Sequence, residues 1–164
     1  MPHTTQEVCA QLASALTARG WMLATAESCT GGMIAAACTD LSGSSNWFDR
    51  GFVTYSNAAK SDMLGVDART IAQHGAVSEQ VAQAMAAGVL AHANAQLSIA
   101  VTGVAGPTGG SAAKPVGTVW FAWGTPQGIH SQCMRFEGDR AAVRQAATLH
   151  ALTVLCERIQ GIAT

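Results

Sequence analysis

The chain has 164 residues, of which 49% are hydrophobic and only 12% charged, with a net charge of −1 and a pI near 6.5. That length supports one domain with a sizeable core, and the charge balance leaves no basic footprint for nucleic acid or anionic lipid. Neither a signal-peptide pattern nor a run of about 18 apolar residues occurs, so a soluble cytoplasmic protein is expected, and its sparsely charged surface suggests a homo-oligomer.

In chain order, Thr4 and Glu7 form a capping-box pattern, Val8, Leu12 and Leu16 recur every four residues, and Gly20 suits the position after a helix. Residues 21–26 read as a short buried strand, and the small-residue stretch at about 30–40 as a helix. A Ser42-Gly43-Ser44-Ser45 loop then precedes a second strand over 47–55. Short helices are predicted at 57–64 and 68–74, and a longer one at 78–92, capped by Ser78, with Val81, Met85 and Val89 on one face. A third strand covers 97–102. After a glycine-rich loop, strands at 116–123 and 129–136 form a hairpin about Thr125-Pro126-Gln127-Gly128. Asp139 can cap a terminal helix lined by Leu149, Leu152, Cys156 and Ile159. The pattern predicts a three-layer α/β/α sandwich around a mostly parallel, mixed five-stranded sheet. If the second strand lies outside the first and the third on its other side, Ser28, the 55–60 segment and Thr102-Gly103 converge at one sheet edge.

The turn Ala26-Glu27-Ser28-Cys29-Thr30-Gly31-Gly32 presents a hydroxyl between strand and helix. Unpaired N–H groups and the positive end of the helix dipole collect at such a turn, which suits a phosphate or the oxyanion of an acyl transfer. Ser28 is equally suited to capping the helix. A serine attacks a carbonyl only once a base takes its proton, and no Asp–His pairing offers itself. The chain has two lysines, Lys60 and Lys114. Lys60 falls in the first turn of a helix capped by Ser56 or Asn57, where dipole and burial both disfavour its charge; the plainer alternative is a solvated lysine. Cys29 is the rival nucleophile, though buried free cysteine is usually inert packing. Glu27 could orient Lys60 or a ligand amide, or simply favour the helix terminus. The loop from Thr102 and Gly103 through Gly106 to Ser111 is neither a Walker A nor a dinucleotide fingerprint, but its glycines permit close backbone approach to a ligand. Arg140 could grip a phosphate bidentately or form a salt bridge. Five cysteines and five histidines show no metal-ligand spacing, so neither metal nor cofactor is expected.

Three blocks, AESCTGG at 26–32, GFVTYSNAAK at 51–60 and VTGVAGPTGGSAAKPVGTV at 101–119, with Gly138-Asp139-Arg140 as a weaker fourth, resemble the CinA C-terminal-domain family over nearly the whole chain. The resemblance implies an α/β/α fold and hydrolysis of the amide of nicotinamide mononucleotide to nicotinic acid mononucleotide and ammonia, in pyridine-nucleotide recycling. It also implies a metal-free Ser–Lys amidase, with Ser28 as nucleophile, Lys60 as base, Tyr55 and Thr102 as helpers, and N–H groups of the Cys29, Thr30, Gly31 and Gly32 turn holding the oxyanion. Ser111-Ala112-Ala113-Lys114 lacks the acidic residue that family members often carry before this lysine. The competing reading is a catalytically silent nucleotide-binding or regulatory module.

Overall fold

A computed structural model of the chain describes residues 4–163. Helix α1 (Thr5–Arg19) starts with the reciprocal pair foreseen in the sequence: Thr4 Oγ1 accepts from Glu7 N at 3.1 Å, and Glu7 Oε2 accepts from Thr4 N at 3.2 Å. Two N–H groups that a helix start leaves unpaired are thereby satisfied. The buried face carries Val8, Leu12 and Leu16. Strand β1 (Leu23–Glu27), α2 (Met33–Thr39), a short 3-10 turn, β2 (Phe48–Val53), α3 (Asn57–Leu64), α4 (Ala68–His74) and α5 (Glu79–His92) follow. Strands β3 (Leu97–Gly103), β4 (Thr118–Thr125) and β5 (Gly128–Arg135) then lead into α6 (Arg140–Gln160). Every predicted element is present. Helix α2 starts at Met33, later than predicted, because Gly31 and Gly32 adopt φ of 58° and 110° and hold the chain out of helical geometry.

The sheet order is β2-β1-β3-β4-β5, as expected for the first three strands. The expectation of a mostly parallel sheet is corrected: β1 runs parallel to β2 and β3, whereas the β3–β4 and β4–β5 pairs are antiparallel. Parallel neighbours need a crossover, usually a helix. The β3–β4 connection contains no helix, and Pro126-Gln127 folds β5 directly back on β4.

Two cores flank the sheet. One joins α1, α2 and α6 to Leu23, Leu97, Ile99 and Val101. The other joins Leu64 of α3 and Val81, Met85 and Val89 of α5 to Ala24, Ala26, Ala100 and Ala122. The alanines on that second face let α5 approach the strands closely. Gly88 brings α5 equally close to α3, since a Cβ there would collide with the Leu64 backbone; the contact fixes the helix that carries Lys60. No helix among the described residues is long and apolar enough to cross a membrane.

Because β1, β2 and β3 are parallel and β5 runs in their sense, their carboxyl ends share one edge. Ser28, the Thr54–Tyr55 segment, the loop after Gly103 and the start of α6 therefore gather there. Backbone bonds extend the ladders past the strand ends: Ser28 N donates to Val101 O at 3.0 Å and Thr54 N to Glu27 O at 2.9 Å.

Candidate active site

At that edge Lys60 Nζ lies 3.0 Å from Ser28 Oγ, 3.0 Å from Thr54 O and 3.2 Å from Tyr55 O. Ser56 Oγ caps α3 by accepting from Ala59 N, which starts the helix in the register that turns Lys60 inward. Lys60 is 1% exposed, and burial lowers its pKa from the ordinary lysine value. Nζ donates to both carbonyls and to Ser28 Oγ; once the amine is neutral, two N–H bonds still serve the carbonyls and the lone pair can face the Ser28 hydroxyl. Ser28 is 7% exposed, so its oxygen sits at the floor of the edge.

Ser28 does not cap α2. The N-cap position belongs to Gly32, which has no side chain to offer. Glu27 supplies the cap from the end of β1: Oε1 accepts from Ile34 N at 2.8 Å and Thr30 Oγ1 at 2.7 Å, and Oε2 from Ala35 N at 3.0 Å. Of the two roles considered for Glu27, the structure gives it the helix terminus; the hydrogen bonds formed by its carboxylate include none to Lys60. Such a carboxylate shapes the nucleophile turn through charge-assisted bonds. Glu27→Gln should lower stability by about 2 kcal/mol, because an amide accepts through one oxygen where the carboxylate uses two; chemical denaturation measures this.

The N–H groups of the turn are unequally occupied. Ser28 N, Gly31 N and Met33 N donate to Val101, Ser28 and Thr30 carbonyls, leaving Cys29, Thr30 and Gly32 with N–H groups free of hydrogen bonds among the described residues. Gly31, named with the oxyanion candidates, is thus occupied at its N–H. Cys29 is buried, and its thiol is pushed up to about 11, chiefly by that burial. It is a protonated thiol at neutral pH, a poor nucleophile. Cys29→Ala should keep kcat within about threefold of the parent, and a steady-state assay of the variant checks it.

The remaining candidates frame the dyad. Tyr55 joins it through its carbonyl; the side chain is 61% exposed, and its phenol oxygen accepts from Arg140 Nη2 at 3.2 Å. Arg140 Nη1 donates to Gly106 O at 2.8 Å, so this arginine ties α6 to the glycine loop without a salt bridge. A cavity of about 480 Å³ opens beside it, lined by Ala105, Pro107, Val116, Gly138, Asp139, Arg140 and Ala141. Thr102 is buried and donates to Ala76 O at 3.0 Å, pinning β3 to the segment before α5. The close approach at Gly103 is to protein: a Cβ there would stand 3.1 Å from Cys29 Sγ. Lys114 reaches His74 O at 2.7 Å and so anchors the same loop. Arg144 escaped the sequence reading. Its Nε donates to Cys29 O at 3.0 Å, and Nη2 lies 3.4 Å from Thr30 O. The available signal was its place one helical turn beyond Arg140, on the same side of α6.

The family model described as the CinA C-terminal domain matches residues 5–159. The chain belongs to the CinA C-terminal-domain family. Among CinA-domain relatives, the nicotinamide-nucleotide amidohydrolase PncC of Enterobacter agglomerans is 55% identical, over 94% of this chain and 96% of that protein. The PncC protein of Escherichia coli strain K12 is 54% identical over 90% of each chain. The crystal structure of competence damage-inducible protein A from Klebsiella pneumoniae superimposes with a TM-score of 0.93 at 46% identity, covering 96% of this chain and 98% of that one.

Proposed function

We propose that this chain hydrolyses the carboxamide of nicotinamide mononucleotide, giving nicotinic acid mononucleotide and ammonia through a Ser28–Lys60 acyl-enzyme. The observation that carries the reading is a buried Lys60 Nζ at 3.0 Å from Ser28 Oγ. Support for the substrate comes from relatives more than half identical that bear the name nicotinamide-nucleotide amidohydrolase.

Neutral Lys60 takes the Ser28 proton as Oγ bonds to the amide carbon, and the carbonyl oxygen becomes an oxyanion held by N–H groups of the Cys29–Gly32 turn. When the intermediate collapses, the C–N bond breaks and Lys60 passes its proton to the departing nitrogen, which leaves as ammonia. A water molecule then gives a proton to Lys60 while its oxygen attacks the ester. Collapse of this second intermediate breaks the bond to Ser28 Oγ, and Lys60 returns the proton to it. One water is consumed, and one acid and one ammonia are formed. The ribose phosphate extends toward the cavity beside Arg140, where that guanidinium and the start of α6 favour an anion.

The same reading carries one α/β/α domain of three layers that works in the cytoplasm as a homo-oligomer. The test is release of ammonia and nicotinic acid mononucleotide from nicotinamide mononucleotide by the purified chain. Turnover is the expected result; tight binding of the nucleotide without turnover would make the chain a binding or regulatory module instead.

A further inference from the structure

We infer that Arg144 is a positioning residue for catalysis: it holds the Cys29–Thr30 peptide, and with it the turn that presents Ser28 and the neighbouring Cys29 N–H to the substrate. The inference rests on the amidase reading above. In a planar trans peptide the C=O and N–H point in opposite directions, so fixing one end fixes the other. The peptides of the nucleophile turn differ in what fixes them. Ser28–Cys29 is held at its carbonyl by Gly31 N at 3.0 Å, and Thr30–Gly31 is bonded at both ends, through Met33 N at 3.0 Å and Ser28 O. Cys29–Thr30 has a free N–H, and Arg144 Nε at 3.0 Å is the donor to its carbonyl.

Loss of that donor would leave a buried carbonyl unpaired, and rotation toward another partner would carry the adjoining Ser28–Cys29 peptide, with the Cys29 N–H and the nucleophile, out of line with the developing negative charge. The side chain is placed for this one task. Arg144 is half-buried and forms no ion pair; among the described residues, salt bridges join Arg50 to Asp49 and Arg69 to Asp67. Its charged group instead reaches two carbonyls of one turn, at Cys29 and Thr30.

The test compares Arg144→Met, which keeps the apolar stem, with Arg144→Lys, which keeps the charge and one possible donor. For Arg144→Met, kcat on nicotinamide mononucleotide should fall about 100-fold while KM stays within about threefold, the pattern of an interaction made in the transition state. Arg144→Lys should recover part of that loss, and it carries the comparison with the parent enzyme if the methionine variant fails to fold. In crystals of the variant the Cys29–Thr30 carbonyl should be turned or spread over two orientations. An unchanged kcat, a loss confined to KM, or a turn identical to the parent's would overturn the assignment. A parent enzyme without turnover would sink the amidase reading, and the orientation of that peptide in variant crystals would still decide what Arg144 holds.

Discussion

Lys60→Arg and Lys60→Met should each lower kcat by a factor on the order of 10³, with nucleotide binding close to that of the parent. Arginine keeps a positive charge but does not deprotonate in this range, so it cannot take the Ser28 proton. Methionine keeps most of the buried stem and removes the nitrogen. The pair separates two jobs that one lysine could do. A cation needed only to attract the phosphate would be replaced by arginine with little loss, whereas a base would not. Steady-state kinetics beside equilibrium binding of nicotinamide mononucleotide reads both. The position of Lys60, enclosed by Ser28 Oγ, Thr54 O and Tyr55 O, favours the base, and an active Lys60→Arg enzyme would remove the dyad from the account.

Ser28→Ala should lose a factor on the order of 10⁴ or more in kcat, since no bond to the substrate carbon can form without its oxygen. Stability should change by only about 1 kcal/mol, because the hydroxyl caps nothing and its bonds are to Lys60 and, at 3.4 Å, to Tyr55 O. Combining Ser28→Ala with Lys60→Met should cost little more than either change alone, as the two groups act in one step. A thermal melt confirms the fold, and a product assay run to long times measures the residue of activity. Substantial turnover by Ser28→Ala would move the nucleophile elsewhere, with the adjacent thiol of Cys29 the first to examine.

Much of this edge was legible because it rests on local rules. The Thr4–Glu7 box, the Ser56, Ser78 and Asp139 caps and the four-residue spacing of Val8, Leu12 and Leu16 act over one or two turns, and all appear in the structure. If the second strand lies outside the first and the third on its other side, the crossovers go to opposite faces of the sheet and Ser28 and the 55–60 segment meet at one edge; the observed order is this one. Pairings remote in sequence were not legible. Nothing local says that Glu27 would cap α2 across a turn while the serine beside it stays free, or that the Tyr55 carbonyl rather than its phenol meets the dyad. Arg144 lies more than a hundred residues from the carbonyls it grips, a distance that only the packing of α6 against α2 closes. The antiparallel hairpin of the last two strands was legible from its turn; the expectation of a mostly parallel sheet was too strong because β3 and β4 lack the helix that a parallel return requires.

The central claim, a neutral lysine that deprotonates Ser28, is tested most directly by kcat/KM for nicotinamide mononucleotide against pH. A base must be unprotonated in the free enzyme, so activity rises with pH through the pKa of Lys60 and levels off above it. Burial lowers that pKa, and the midpoint of the acid limb should therefore lie below the ordinary lysine value of about 10.4. The predicted result is a rising limb that reaches its plateau before that value. A profile that falls as the pH rises through this window, or a limb centred at or above about 10.4, would mean that Lys60 works as a cation or not at all, and would contradict the account.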